Sequence, residues 1–137
     1  MKKYTLLLLL SFVVLFAEAK KIAPRAPLTG KYTLVKQSYK GKMQMLSGVK
    51  STISLDQSRE TISCFMGCNT LSGDFSAIGN FIEPLQLMST EKFCSSKIDK
   101  AEKAFVKNMG AVNHFKIRSR EVFLYHDEEL LIVLRRK

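Results

Sequence analysis

Thr61-Ile62-Ser63-Cys64-Phe65-Met66-Gly67-Cys68-Asn69-Thr70-Leu71-Ser72-Gly73 is the stretch from which the fold is read. Ile62, Cys64 and Met66 alternate with Thr61, Ser63 and Phe65, the period of a β-strand with one face buried. Cys64 thereby shares the inward face and is expected to be a buried, inert thiol. Gly67 to Gly73 reads as a punctuated turn. In it the side chains of Asn69 and Ser72 satisfy the turn's own amides, and Gly67 and Gly73 supply the bend and tolerate positive φ. All four are expected to be structural. Cys68 lies past the Gly67 bend, and in an oxidising compartment Cys68 and Cys94 are left to pair. Closing that loop restricts the unfolded chain by roughly 3 to 4 kcal/mol.

The same alternation extends outward in both directions. Tyr32 and Leu34 alternate with Lys31 and Thr33, and Ile53 and Leu55 with Thr52 and Ser54. Between them Lys40 to Lys50 reads equally as a loop or as another short strand. Downstream, Gly79-Asn80 between Phe75, Ile78 and Phe81, Ile82 predicts a hairpin through 74–83. Ser96-Lys97-Ile98-Asp99 fits a capping box. Ile98, Ala101, Phe105 and Val112 or Met109 then recur at helical spacing until Gly110, with Lys97, Lys100, Lys103 and Lys107 off that stripe. Phe115 to Ile117, Val122 to Tyr125 and Leu130 to Leu134 complete an antiparallel meander, whose last strand is apolar at five successive positions and so buried on both faces. The expected fold is α+β, mainly β: a small antiparallel, β-barrel-like curved sheet of about eight strands with one covering helix.

The beginning of the chain has another character. Lys2 and Lys3, the apolar run Leu6 to Phe16 and Ala17-Glu18-Ala19 have the three parts of a signal peptide in order, so residues 1–19 are expected to be removed. Interrupted only by Ser11, those eleven residues would span as a helix only about half of a ~30 Å hydrocarbon core, which argues against a membrane anchor. Residues 20–29, with Pro24 and Pro27, read as an extended tail, and 30–137 as a single domain. The full chain has 137 residues with 22 basic and 12 acidic side chains; without Lys2, Lys3 and Glu18 the balance is 20 to 11, a net +9. Such a protein is expected to be secreted or periplasmic, without a transmembrane segment after processing, and monomeric.

No pattern in the chain points to catalysis. Cys64 and Cys68 are separated by three residues where thioredoxin-type sites have two, and His114 and His126 lie on separate late strands with no zinc-ligand spacing. No Gly-x-Ser-x-Gly elbow or phosphate-cradling loop occurs, and Glu83, Asp99, Glu102 and Glu121 show no convergent spacing. No enzymatic activity, metal or cofactor is expected. The scattered cations and the absence of Trp or an aromatic-basic motif argue against nucleic acid. The densest cationic strip is the helix face of Lys97, Lys100, Lys103 and Lys107, a possible binding face for a protein or an anionic surface.

As a composite, Gly67-Cys68-Asn69, Ser72-Gly73, a hairpin and then Ser89-Thr90-Glu91-Lys92-Phe93-Cys94 resembles the META domain family of HslJ-like heat-shock proteins. The resemblance runs from about Gly30 to Arg135 and implies a compact, β-barrel-like domain with one helix, without enzymatic activity, in bacteria usually secreted or lipid-anchored. It also implies a role in stress response, drug resistance or virulence. Tyr32 stands where the family commonly has Trp, and Cys64 replaces a small residue. The functional expectation is a secreted, non-catalytic domain in cell-envelope or stress physiology or virulence. The alternative is a secreted binder or inhibitor of a host or bacterial protein, presenting hairpin loops on a rigid barrel.

Overall fold

Period-two burial carries through to the observed strands. The computed structural model describes residues 27–83 and 86–137; the expected leader 1–19 and most of the expected tail lie outside them. In β1 (Gly30–Tyr39) Tyr32 and Leu34 face the core, and in β3 (Thr52–Asp56) Ile53 and Leu55 do. In β4 (Thr61–Phe65) the inward residues are Ile62 and Cys64. β5 (Thr70–Asp74), β6 (Ala77–Ile78), β7 (Phe81–Ile82) and β8 (Met88–Ser89) follow, then α1 (Ser96–Met109), β9 (His114–Arg118), β10 (Glu121–His126) and β11 (Glu129–Arg136). β2 (Lys42–Met45) precedes β3. The strands form one antiparallel sheet in the order β6-β7-β9-β10-β11-β1-β3-β4-β5-β8, with β2 beside the second half of β1, curled into a half-barrel.

Eleven strands occur among the described residues where about eight were expected. β2 resolves the undecided segment 40–50 as a strand with every residue exposed, which is why it shows no alternation. β5 corrects the reading of 67–73: the turn is completed by Asn69, and Ser72 and Gly73 lie in a strand opposite Ser63 and Ile62. Ser72 is exposed, and Gly73 does not need positive φ. A side chain at 73 would instead meet the Gln86 carbonyl oxygen, 2.5 Å from an added Cβ. Only at Gly67, with φ +107°, does that stretch use the freedom of glycine.

Two bulges set which residues face inward. Between Leu34 and Lys36 the register of β1 on β11 shifts, and the buried face of β1 moves from Tyr32 and Leu34 to Gln37. A second shift, between Leu124 and Tyr125 of β10, leaves Leu131 opposite no residue. Leu131, Ile132, Val133 and Leu134 are all buried, as expected for a central strand between β10 and β1. Leu28 is also fully buried, and its N–H donates to Gln57 Oε1 at 2.8 Å. The packed domain thus includes Leu28 and Thr29, which the sequence reading gave to the tail.

Helix α1 buries Ala101, Ala104, Phe105 and Met109 against the sheet and exposes Lys97, Lys100, Lys103 and Lys107. Two side chains tie it to β1: Gln37 Nε2 donates to the Ala101 carbonyl at 2.9 Å, and Asn108 Nδ2 to the Ser38 carbonyl at 2.8 Å. The expected capping box is not formed. The N-cap is Ser95 and its hydroxyl makes no capping bond, while Asp99 turns to Lys103 Nζ at 2.9 Å. Gly110 ends the helix with φ −68°, a right-handed turn and not the left-handed cap that glycine favours.

Candidate functional site

Cys68 and Cys94 form a disulfide with Cα atoms 5.9 Å apart, joining the turn before β5 to the segment that leads into α1. Cys64 is a free thiol, buried on the inward face of β4, and burial pushes its pKa up to about 12. It stays protonated at neutral pH and has no nucleophilic character.

Beside the disulfide lies a buried polar network. Glu102 Oε1 accepts the Asn69 backbone N–H at 2.7 Å, and Oε2 accepts Asn69 Nδ2 at 2.7 Å. Both residues are buried. Asn69 Oδ1 in turn accepts the Thr90 hydroxyl at 3.0 Å and the Lys92 N–H at 2.9 Å, and Thr90 Oγ1 accepts the Thr70 N–H at 3.1 Å. Asn69 is therefore structural, but its side chain does not serve its own turn. It joins three segments: the turn, α1 and the loop after β8. A bidentate carboxylate of this kind fixes direction as well as distance, and its buried charge is met by two donors.

Glu102 was missed as a site residue, although its position gave a signal. It lies four residues after Ile98 and three before Phe105, on the apolar stripe, where an acidic side chain needs a buried partner.

The network holds a loop that exposes Phe93 completely and Met88 for the most part. Between this loop and α1 runs an open cleft of about 670 Å³. Val106 and Phe93 give it apolar walls above the buried Leu71, and Lys92, Lys103 and Lys107 bring cations to it, with Glu91 and Asp99 as counter-charges. The four helix lysines are not equivalent. Lys97 Nζ donates to the Ser47 carbonyl at 3.0 Å and Lys103 is paired with Asp99, whereas Lys100 and Lys107 are exposed and form no ion pair among the described residues.

The remaining candidates do not converge. His114 stacks on Tyr125 with ring centroids 5.0 Å apart, and its Nδ1 lies 3.0 Å from Asn113 Oδ1. His126 Nδ1 donates to the Ala111 carbonyl at 2.7 Å. Both are on the β9–β10 side of the sheet, separated from Cys64 by β11, β1 and β3. Glu121 pairs with Arg135 at 2.8 Å. Among the described residues no group of three His, Cys, Asp or Glu side chains has metal-holding geometry, and no helix is long and apolar enough to cross a membrane.

A curled antiparallel half-barrel, one amphipathic helix and a disulfide-stapled loop define a small β-rich domain built around a rigid loop. The META domain family model matches residues 26–137, and the chain belongs to that family. No curated protein matches it. Among solved structures it is similar to one described as the NMR structure of the protein from Burkholderia xenovorans, at 17% identity and a TM-score of 0.65. The similarity covers 80% of this chain and 82% of that one, and at this identity it is a likeness of fold.

Proposed function

We propose that this META domain is an exported, non-catalytic binding module of the cell envelope, acting in stress physiology or virulence, whose contact surface is the loop 88–94 with the adjoining face of α1. The observation that carries the reading is the combination of a disulfide and a buried, doubly bonded carboxylate behind a fully exposed Phe93. An apolar side chain held out on a rigid support suits recognition, because little of its conformational freedom remains to be lost on binding. The leader at 1–19 and the disulfide support export to an oxidising compartment. The same loop favours a second reading, a binder or inhibitor of a host or bacterial protein.

A photo-crosslinking side chain placed at position 93 of the oxidised domain tests the surface, with position 59, exposed on another loop, as the control. Cross-linking in the native compartment at 93 and not at 59, lost after reduction of the disulfide, is the expected result. Equal labelling at both positions, or none at 93, removes the loop from the binding surface.

A further inference from the structure

The polar atoms around the cleft beside α1 are largely occupied with one another. Asn69 Oδ1 holds the Thr90 hydroxyl and the Lys92 N–H; its Nδ2 holds Glu102; the Ser89 hydroxyl donates to the Thr90 carbonyl at 2.9 Å. A peptide strand laid in the cleft would bring its own N–H and C=O groups and find few free partners, at a desolvation cost. What the cleft offers a ligand is apolar surface from Val106 and Phe93, and positive charge from Lys92, Lys103 and Lys107. Of its anionic neighbours, Glu102 is bonded to Asn69 and Asp99 is paired with Lys103, and Glu91 is exposed. A volume of about 670 Å³ and a concave form between loop and helix suit one small molecule and not a flat bilayer.

We propose that this cleft binds one molecule of a single-chain anionic amphiphile, an alkyl carboxylate, with the chain between Val106 and Phe93 and the head between Lys103 and Lys107. The proposal rests on the reading of this face as the binding surface and gives that face a ligand class. Because each buried methylene adds to the driving force, affinity rises roughly threefold to fourfold per carbon until the walls are covered. The carboxylate competes with Asp99 for Lys103, so Asp99→Asn frees a cation and improves binding, an outcome that a misfolded variant does not produce.

The test is an NMR titration of the isotope-labelled, oxidised domain with octanoate, decanoate and dodecanoate below their self-association limits. Dodecyl maltoside and dodecyltrimethylammonium serve as neutral and cationic head-group controls, and phosphatidylglycerol vesicles as the bilayer. The expected result is saturable one-to-one binding with shifts at residues 93 and 106 and roughly tenfold tighter binding for each two-carbon step. Neutral and cationic heads should bind at least tenfold more weakly. Val106→Glu and Lys103→Gln with Lys107→Gln should lose the dodecanoate shifts, and Asp99→Asn should tighten binding at least twofold. Affinity independent of chain length or head charge, shifts elsewhere on the domain, an unchanged Asp99→Asn variant, or binding to vesicles but not to monomers overturns the proposal. Failure of every carboxylate while position 93 still cross-links removes the amphiphile and leaves the binding surface standing. Carboxylate binding without cross-linking removes only the protein-partner reading.

Discussion

Replacing Glu102 by Gln keeps the shape of the side chain and tests the Asn69 staple directly. The carboxylate meets two donors, the Asn69 N–H and Nδ2, each at 2.7 Å. A carboxamide has one acceptor oxygen, so in either orientation its NH₂ group faces one of those donors. One charge-assisted bond contributing about 1.5–3 kcal/mol is lost, and the surviving bond, now neutral, falls to roughly half its strength. Removing a buried charge returns part of this by ending its desolvation penalty. The net destabilisation is about 2–3 kcal/mol, a melting-temperature drop of roughly 8–12 °C for a domain of this size.

The measurement is thermal unfolding of the oxidised domain, wild type against Glu102→Gln, Asn69→Ala and the double variant. Asn69→Ala alone should also lower the melting temperature. In that background no side-chain amide opposes the NH₂ group of the introduced carboxamide, and the backbone N–H keeps its acceptor. The cost of Glu102→Gln should therefore fall by at least half. A Glu102→Gln melting temperature within 2 °C of wild type, or strictly additive losses, refutes the idea that the carboxylate organises the loop.

Three further outcomes follow from other parts of the molecule. Replacing Cys68 and Cys94 by Ser, with 26 residues of sequence separation, should cost about 3.5 kcal/mol in denaturant unfolding, and addition of a reductant should bring the wild type to the same stability. Gly73→Ala, whose Cβ would meet the Gln86 carbonyl oxygen, should cost about 1–3 kcal/mol. Gly41→Ala, in open space at φ +72°, should cost about 1 kcal/mol from backbone strain alone; equal losses would discount the close approach at 73. The Ser58 hydroxyl, donating to Asp56 at 2.6 Å, and then the Arg59 N–H hold the Asp56 carboxyl below its ordinary pKa. Its contribution to stability is therefore present above the unfolded value of about 3.9 and lost as pH falls through the folded one. Ser58→Ala should move the NMR titration midpoint of Asp56 upward.

What the sequence made legible was whatever has a period. Ile62, Cys64 and Met66 marked a half-buried strand, and the stripe of Ala101 and Phe105 marked the helix, because in both cases burial repeats with the backbone geometry. β2 has no buried residue and hence no period to read. Ser72-Gly73 has the composition of a turn, yet its glycine is required by the crossing of Gln86, a contact from thirteen positions along the chain. The site was half legible. Cys68, Cys94 and Asn69 stood out as residue types, whereas Glu102 was passed over although its spacing from Ile98 and Phe105 sets it on the buried stripe. The cleft could not be read, because its walls come from the loop at 93 and the helix at 106 and meet only after the sheet has curled.

The placement of the site follows from how the half-barrel is completed. β1 and β11, near the two ends of the described chain, pair in mid-sheet, and Arg136 donates to the Thr29 carbonyl across 107 residues. The two arms that extend from this seam end in β6 and β8, strands of two residues each, too short to offer a long free edge for pairing with another chain. No strand among the described residues joins β6 to β8. The link from the β5–β8 arm back to the middle of the sheet is made by α1: the disulfide before it and Glu102 within it hold that arm, and Gln37 and Asn108 hold the helix to β1. A helix used as a strut cannot lie as flat on the arm as a paired strand would, and the space left between them is the cleft. The same staple that closes the fold on this side therefore also gives the cleft a fixed width, so a change that loosens Glu102 or the disulfide should weaken ligand binding and stability together.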